Sequence, residues 1–181
     1  MKLEPLTKEQ CEKVRIWRNQ IPESLRTPYP LTREQQEKFY EQVICNRNSP
    51  HRYWAIMKDC GDLRPDRECN HFIGMGGIIN IQWQNRIAEI SLILGGDWHK
   101  NGEGDGKKAV ELLLDQAFNY LNLQTVFGEV YHCNEKAANF WLEITRKYQG
   151  KTSVLRNRKF WKDQYHNSRY FSIDRDDFNK N

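Results

Sequence analysis

Residues 101–121, NGEGDGKKAVELLLDQAFNYL, decide how this chain folds. Glycine occupies every second position from Gly102 to Gly106, and an apolar stripe follows at the spacing of one helix face. The members of the stripe are Val110, Leu113, Leu114, Ala117, Phe118 and Leu121. The pattern predicts a glycine-rich turn followed by an amphipathic helix over about 106–121.

This turn has the properties of a phosphate-binding site. Alternating glycines let the backbone curl so that several N–H groups point to one place, and the helix start adds unpaired N–H groups and a positive dipole end. Lys107 and Lys108 lie in the first turn, where cations are favourable only if an anion binds. The alternative is a flexible loop that needs glycine for its geometry alone. The spacing fits neither the phosphate loop of nucleotide triphosphatases nor the dinucleotide-binding fingerprint.

Helices and strands alternate around the turn. Thr7 with Gln10 and Thr32 with Gln35 have the spacing of capping boxes, so each pair predicts a helix start. Strand patterns cover 52–57, 71–83, 86–94 and 125–131, a helix is predicted over 135–147, and a hairpin over 154–173 turns near Lys162. Residues 59–70 predict a surface loop, and the glycines at 74–77 predict a bulge or a close approach by another group. This mixture predicts one α/β or α+β domain.

Composition limits the partners and the compartment. The 28 Lys and Arg exceed the 24 Asp and Glu by only four charges, so a phosphorylated cofactor, a nucleic acid and ordinary solubility all remain explanations. Five scattered cysteines suit neither a disulfide framework nor a metal site, and we expect free thiols, a reducing cytoplasmic location and no metal. No apolar run of about 18 residues predicts a membrane span, and the first residues lack a signal-peptide core.

At this point the chain resembles the GNAT superfamily of N-acetyltransferases. That family's cofactor loop has the form Arg/Gln-x-x-Gly-x-Gly/Ala; residues 101–106 supply both glycines but begin with Asn101. Ala88-Glu89-Ile90 is similar to the family's glutamate-bearing strand, and Asn134 to Ala137 to its Asn-x-x-Ala motif. Residues 16–19 resemble the start of acetyltransferases acting on amino-sugar nucleotides, and 160–173 the closing hairpin of the ribosomal-protein N-terminal branch.

The resemblance implies both a fold and an activity. The fold is an α/β (α+β) single domain over 1–181, with a mixed, largely antiparallel twisted sheet flanked by helices and a splayed parallel strand pair that forms the cofactor cleft. The activity is acetyl-CoA-dependent N-acetyl transfer, with acetyl-CoA as cosubstrate. The implied cofactor-binding residues are Leu92, Ile93, Leu94, Asn101, Gly102, Glu103, Gly104, Asp105, Gly106, Lys107, Asn134, Ala137 and Phe140. The implied substrate-binding residues are Trp17, Arg18 and Asn19.

Two catalytic roles follow from this chemistry. An acceptor amine must be neutral to attack a thioester, and we expect Glu89 to be its base, against the alternative of a structural glutamate paired with Arg86. The family's usual tyrosine acid is replaced by Trp141, whose indole cannot protonate a thiolate. We expect Tyr148 to take that role, with Tyr131 among the other candidates.

The acceptor stays open at this level. The leading expectation is a primary amine on a small molecule such as an amino sugar, acted on by a monomer or homodimer. A peptide N-terminus is the alternative suggested by the tail hairpin. The basic stretch over 146–169 keeps a nucleic-acid partner open, and Trp141 keeps open a domain that binds cofactor without catalysis.

Overall fold

The computed structural model describes residues 1–26, 29–59, 70–95 and 104–180. Seven strands form one sheet in the order β1-β2-β3-β4-β5-β7-β6, with helices on both faces. The strands are β1 (Lys2–Pro5), β2 (Arg52–Asp59), β3 (Asn70–Gln82), β4 (Ile87–Leu94), β5 (Thr125–Tyr131), β6 (Lys151–Trp161) and β7 (Gln164–Asp174). The helices are α1 (Lys8–Asn19), α2 (Arg33–Phe39), α3 (Asp105–Asp115), α4 (Glu135–Lys147) and α5 (Arg175–Phe178). A 3-10 turn spans Pro22–Ser24, and π-helical turns at Tyr40–Ile44 and Gln116–Tyr120 extend α2 and α3.

The predicted helix starts are confirmed. Thr7 caps α1, and its hydroxyl accepts a hydrogen bond from the N–H of Gln10 at 3.3 Å while the Gln10 side chain accepts from the Thr7 N–H at 2.9 Å. Thr32 caps α2 in the same reciprocal way. The helix predicted over 106–121 is α3 with its π-helical extension. Its N-cap is Gly104 at φ 98°, a left-handed conformation that favours glycine.

The strand predictions hold, and one strand was missed. β1 escaped prediction because Lys2 and Glu4 are charged and the segment ends at a proline; it forms by antiparallel pairing with β2. The tail hairpin turns at Lys162 and Asp163, both with positive φ (49° and 60°), as a tight two-residue turn between right-twisted strands requires.

The glycines of β3 allow close approach, and the first of them, Gly74, also lies at a register shift against β2. A Cβ atom on Gly76 would lie 2.6 Å from Leu113 of α3, and one on Gly77 would lie 2.5 Å from the ring of Tyr53. The strand therefore has α3 against one face and an aromatic ring against the other. β3 has two register shifts: against β2 it skips one residue between Phe72 and Gly74, and against β4 it shifts between Ile79 and Gln82.

Two apolar layers enclose the sheet. The larger lies between the sheet and α3 and α4, and its fully buried members include Phe118, Leu113 and Ile144. The smaller lies on the opposite face, where Cys11 and Val14 of α1 pack on β2 and β3. The cysteines among the described residues, Cys11, Cys45 and Cys133, are free thiols. None of the helices in the described ranges is both long and apolar enough to cross a membrane.

The functional geometry depends on β4 and β5, which form the parallel pair of the sheet. Their pairing covers only Ile87 to Glu89 on β4, and it ends at Glu89 opposite Phe127. Beyond that point β4 stays paired with β3 as far as Leu94, and β5 stays paired with β7 as far as Tyr131. The two strands therefore separate and leave a gap toward their carboxyl ends. The splayed pair expected from the family resemblance is confirmed.

Candidate active site

The gap between β4 and β5 continues into a cleft with two parts. The first, the loop cavity, has a volume of about 310 Å³ and is lined at the start of α3 by Gly104, Gly106 and Lys107. The second, the inner cavity, has a volume of about 370 Å³ and extends to Glu89. The two parts share lining residues, so they adjoin, and together they are called the channel. The shared residues are Leu92, Leu94, Ala137 and Trp141.

Of the residues expected to bind phosphate, the structure describes 104–107, and all of these except Asp105 line the loop cavity. Gly106 packs so closely on α4 that a Cβ atom there would lie 3.0 Å from the Phe140 ring. Lys107 lines the cavity and pairs with Glu143. Asp105 is instead held by Lys58, Nζ to Oδ2 at 2.6 Å, and does not line either cavity. The expected residues 101–103 lie outside the described ranges.

One wall of the inner cavity is the unpaired edge of β4. Leu92, Ile93 and Leu94, which the resemblance implies as cofactor-binding residues, all line it. Asn134 lines it from the other side and also caps α4, since its Oδ1 accepts a hydrogen bond from the Ala137 N–H at 3.2 Å. The helix cap and the cofactor contact implied by the resemblance are compatible at this position.

Glu89 lies at the closed end of the gap. Its side chain is only 9% exposed, and both carboxylate oxygens accept hydrogen bonds. The guanidinium of Arg26 donates to both oxygens, and the amide of Asn80 donates to Oε2 at 2.9 Å. The pairing with Arg86 considered from the sequence does not occur, because Arg86 instead binds the Asn122 backbone oxygen at 2.7 Å. Arg26 was missed because it lies in an irregular segment with no motif.

A second carboxylate, Glu129 of β5, also lines the inner cavity. Its Oε1 accepts hydrogen bonds from Arg158 at 3.1 Å and from the Ser168 hydroxyl at 2.6 Å. Burial alone would raise the pKa of Glu129, but these two donors outweigh it and hold the pKa below the ordinary value. Sequence reasoning missed Glu129. Side chains alternate between the two faces of a strand, so Glu129 lies on the same face of β5 as Phe127 and Tyr131. This alternation is the sequence signal that could have identified Glu129.

Of the three expected substrate-binding residues, only Arg18 lines the cavity. Trp17 stacks on Phe72 with ring centroids 5.4 Å apart, beside the core of the α1 face. Asn19 exchanges two hydrogen bonds of 2.9 Å with the backbone of Leu31, so it holds the chain entering α2. Neither Trp17 nor Asn19 is among the residues that line the inner cavity.

The sequence model of the acetyltransferase (GNAT) domain matches residues 1–144. This chain belongs to the GNAT acetyltransferase family. It is an acetyl-CoA-dependent N-acetyltransferase, and acetyl-CoA is its cosubstrate. No curated protein sequence matches the chain.

Solved structures of another GNAT enzyme share the fold. A mutant of spermidine N-acetyltransferase from Vibrio cholerae superposes with a TM-score of 0.77 at 19% identity, over 98% of this chain and 97% of that one. The same enzyme in complex with CoA and spermine gives 0.77 at 19% identity, over 98% and 96%. A form with manganese ions gives 0.73 at 19% identity, over 99% and 95%. At this identity the likeness establishes the fold.

The cleft of this GNAT enzyme fits acetyl-CoA. The left-handed Gly104 and the side-chain-free Gly106 leave the start of α3 open to an anionic group beside Lys107. The unpaired β4 edge can accept an extended chain that carries amides, in the manner of an added strand. Within the described ranges, no cluster of three or more His, Cys, Asp and Glu residues could hold a metal ion.

The expected acid of the GNAT reaction, Tyr148, does not lie in the cleft. It is 2% exposed, belongs to the core between the sheet and α4, and packs on Phe178 with centroids 5.5 Å apart. Tyr131 does line the inner cavity, at the end of β5, and burial raises the pKa of its phenol. Trp141 lines both cavities and stacks on Phe171 at 4.7 Å, so it forms the floor between them.

The tail hairpin supports the rim of the inner cavity. Lys159 of β6 donates hydrogen bonds to the backbone oxygens of Pro22 at 3.3 Å and Glu23 at 2.8 Å, and also to that of Leu25. Its ammonium also lies 4.9 Å from the centroid of the Tyr131 ring. Lys159, like the Arg158 that binds Glu129, is thus engaged within the protein, which weakens the case for a nucleic-acid surface built on this stretch.

Proposed function

We propose that this GNAT enzyme acetylates a primary amine on a small molecule and that Glu89 is the base. The observation that carries the proposal is the position of Glu89. It is the last β4 residue in the parallel pairing with β5, and its carboxylate lines the cavity that begins where the two strands part. An amine that enters the inner cavity would meet this carboxylate. Glu89 lines the inner cavity but not the loop cavity.

A base is needed because the acceptor arrives charged. An alkyl ammonium has a pKa near 10.4, so at pH 7 only about one molecule in 10³ to 10⁴ is neutral. A positioned base typically contributes about 10²–10⁴-fold to the rate. Arg26 now covers Glu89, but its side chain is 53% exposed and the acceptor's ammonium can take its place. Glu89 first takes a proton from the ammonium. The neutral amine nitrogen then attacks the thioester carbonyl, the carbon–sulfur bond breaks, and the remaining excess proton on nitrogen passes to solvent.

The departing thiolate needs a proton, and we assign its donor as Tyr131. The raised pKa of Tyr131 keeps the phenol protonated at neutral pH, and it lines the same cavity as Glu89. Tyr148 does not suit this role, because its ring is buried in the core and it lines neither part of the cleft.

The cosubstrate is proposed to lie along the whole channel. Gly104, Gly106 and Lys107, together with residues 101–103, would hold the pyrophosphate at the loop end. The β4 edge from Leu92 to Leu94 and Asn134 would hold the extended arm, with Ala137 and Phe140 beneath it. Acetyl-CoA then supplies the thioester at the inner end.

The cavity favours a small acceptor over a peptide. A volume of about 370 Å³ is in the range of small-molecule pockets. The names of the structural neighbours suggest a polyamine such as spermidine, and residues 16–19 suggest an amino sugar. Both classes present a primary amine, so the reaction itself is the same.

The test is release of free CoA from acetyl-CoA with a panel of amines. The panel contains spermidine, glucosamine, glucosamine 6-phosphate, lysine, cadaverine and a short peptide with a free N-terminus. We expect at least one small amine to accelerate CoA release and the peptide to have little effect. Acetyl-CoA binding with no acceleration by any amine would overturn the proposal in favour of a silent cofactor-binding domain.

A further inference from the structure

Arg18 is the one inner-cavity cation whose role the proposed reaction leaves unexplained. It lies four residues after Val14 and seven after Cys11, so it continues the face of α1 that packs on the sheet. A basic residue near the C-terminus of a helix commonly interacts with the helix dipole, and its side chain can do so while it stays exposed to solvent. Arg18 instead turns inward, and burial lowers the pKa of its guanidinium. Some other interaction must offset the cost of placing this charge here.

No such partner exists among the described residues. The side chain of Arg18 makes no hydrogen bond or ion pair with any of them. The two carboxylates that line the same cavity are already engaged, Glu89 by Arg26 and Glu129 by Arg158. Arg158 reaches Glu129 without lining the cavity, so among the described residues Arg18 is left with no carboxylate to pair with.

A second unused donor lies beside Arg18. Tyr53 of β2 also lines the inner cavity, and burial raises its pKa to about 12, so its hydroxyl keeps its proton at any physiological pH. This phenol makes no hydrogen bond within the described part of the chain. The nearby guanidinium acts in the opposite direction on the same pKa, which places the two groups within electrostatic reach of one another.

From this arrangement we infer that the inner cavity binds an acceptor that carries an oxyanion as well as its amine, with Arg18 and Tyr53 as the residues that recognise the oxyanion. The inference rests on the proposed function and narrows its substrate class. A guanidinium binds carboxylate or phosphate through two parallel hydrogen bonds, and such charge-assisted bonds are among the strongest in proteins. A polyamine, which has several cations and no anion, would offer nothing to pair with Arg18 and Tyr53 among the described lining residues.

Binding to the CoA-saturated protein tests the inference without requiring turnover. The probes form two matched pairs, glucosamine 6-phosphate with glucosamine and lysine with cadaverine, and each pair differs by one anionic group. Spermidine is the fifth probe. Saturation with CoA keeps the phosphate probe out of the loop cavity, and calorimetry measures each dissociation constant.

We expect the anionic member of at least one pair to bind at least tenfold more tightly than its partner and more tightly than spermidine. A preference in the first pair alone assigns a phosphate, and one in the second pair alone assigns a carboxylate. Arg18→Met should reduce the anionic probe to its partner's affinity, and Arg18→Lys should restore only part of the loss because lysine has no fork. Lys13→Met removes the same charge from the exposed side of α1 and should leave all affinities unchanged.

The inference is overturned if neither pair shows a preference, including the case in which no anionic probe binds. It is also overturned if spermidine binds most tightly, or if the preference survives in Arg18→Met while that variant retains its CoA affinity and melting temperature. Failure of the proposed function has a different signature. In that case the anionic probe binds in an Arg18-dependent way, yet acetyl-CoA releases no CoA in its presence.

Discussion

Arg26 and Glu89, which are 63 residues apart in the chain, form an ion pair inside the inner cavity, with Nη1 of Arg26 3.3 Å from Oε2 of Glu89. The two side chains of the pair differ in how firmly they are held. The Arg26 side chain is 53% exposed, whereas that of Glu89 is 9% exposed and is also held by Asn80. The arginine is therefore the partner that can leave, and Glu89 stays in place when an amine enters.

Glu89→Gln should keep the shape of the side chain and remove its ability to accept a proton. We expect turnover to fall about 10²-fold or more at pH 7, while acetyl-CoA affinity changes little. The deficit should shrink as the pH approaches the pKa of the acceptor amine, because solvent then supplies the neutral amine. The measurement is kcat/KM against pH for both proteins. Profiles that overlay within about threefold would make Glu89 structural and place the base elsewhere.

Tyr131→Phe and Tyr148→Phe form a matched pair that locates the acid. Each removes one hydroxyl, but only Tyr131 lines the cavity, whereas Tyr148 lies in the core. We expect Tyr131→Phe to lower kcat by about tenfold or more and Tyr148→Phe to leave kcat within about twofold. Single-turnover rates with a reactive acceptor provide the comparison. A loss confined to Tyr148→Phe would return the acid role to that residue.

Lys107 and Lys108 are adjacent cations in the first turn of α3, but only Lys107 lines the loop cavity. Lys107→Gln should weaken acetyl-CoA binding by about fivefold, as expected for the loss of about 1 kcal/mol of charge-assisted contact. It should also reduce the dependence of binding on salt, because one ionic contact is gone. Lys108→Gln is the control, and calorimetry at two salt concentrations measures both. Equal losses of acetyl-CoA affinity in the two variants would indicate that the positive charge of the first turn acts at long range and that Lys107 makes no specific contact.

His51 should give the fold a pH-dependent contribution. Burial first and then Arg52 lower its pKa below the ordinary value, although Glu89 acts in the opposite direction. Its Nδ1 also lies 3.1 Å from the backbone nitrogen of Asn80, a contact in which the neutral ring accepts. The unfolded chain therefore binds this proton more readily, and stability should fall as the pH drops below about 6.5, the unperturbed pKa of histidine. Denaturant unfolding between pH 8 and 5 should show a smaller fall for His51→Gln; parallel curves would assign the pH dependence to other groups.

Local sequence patterns were sufficient to predict most of the helices and strands. The helix starts at Thr7 and Thr32 and the boundaries of β5 depend on neighbours three or two positions away, and these contacts form in the same way in any fold. β1 shows where this fails, since its partner β2 is about fifty residues away and its own side chains carry no strand pattern.

The residues of the candidate site also differ in whether local sequence patterns could identify them. Glu89, Gly104, Gly106, Lys107 and Asn134 could be named from motifs because a cofactor loop and a strand end are short-range features. Arg26 could not, because it lies in an irregular segment that has no motif, and Glu129 had only the alternation of β5 to indicate it. Tyr148 was chosen over Tyr131 because the sequence does not show which of two aromatic residues points into a cleft.

By itself, the sequence determined the glycine-rich turn and the amphipathic helix that follows it, since glycine spacing and helical periodicity encode backbone geometry directly, and its motifs were sufficient to recognise the GNAT family. Only the tertiary structure decided which charges meet. The pairing of Arg26 with Glu89 and of Arg158 with Glu129, and the absence of a described partner for Arg18, depend on strands and loops far apart in the chain. The strength of an electrostatic interaction depends on distance and burial, and a linear sequence contains neither.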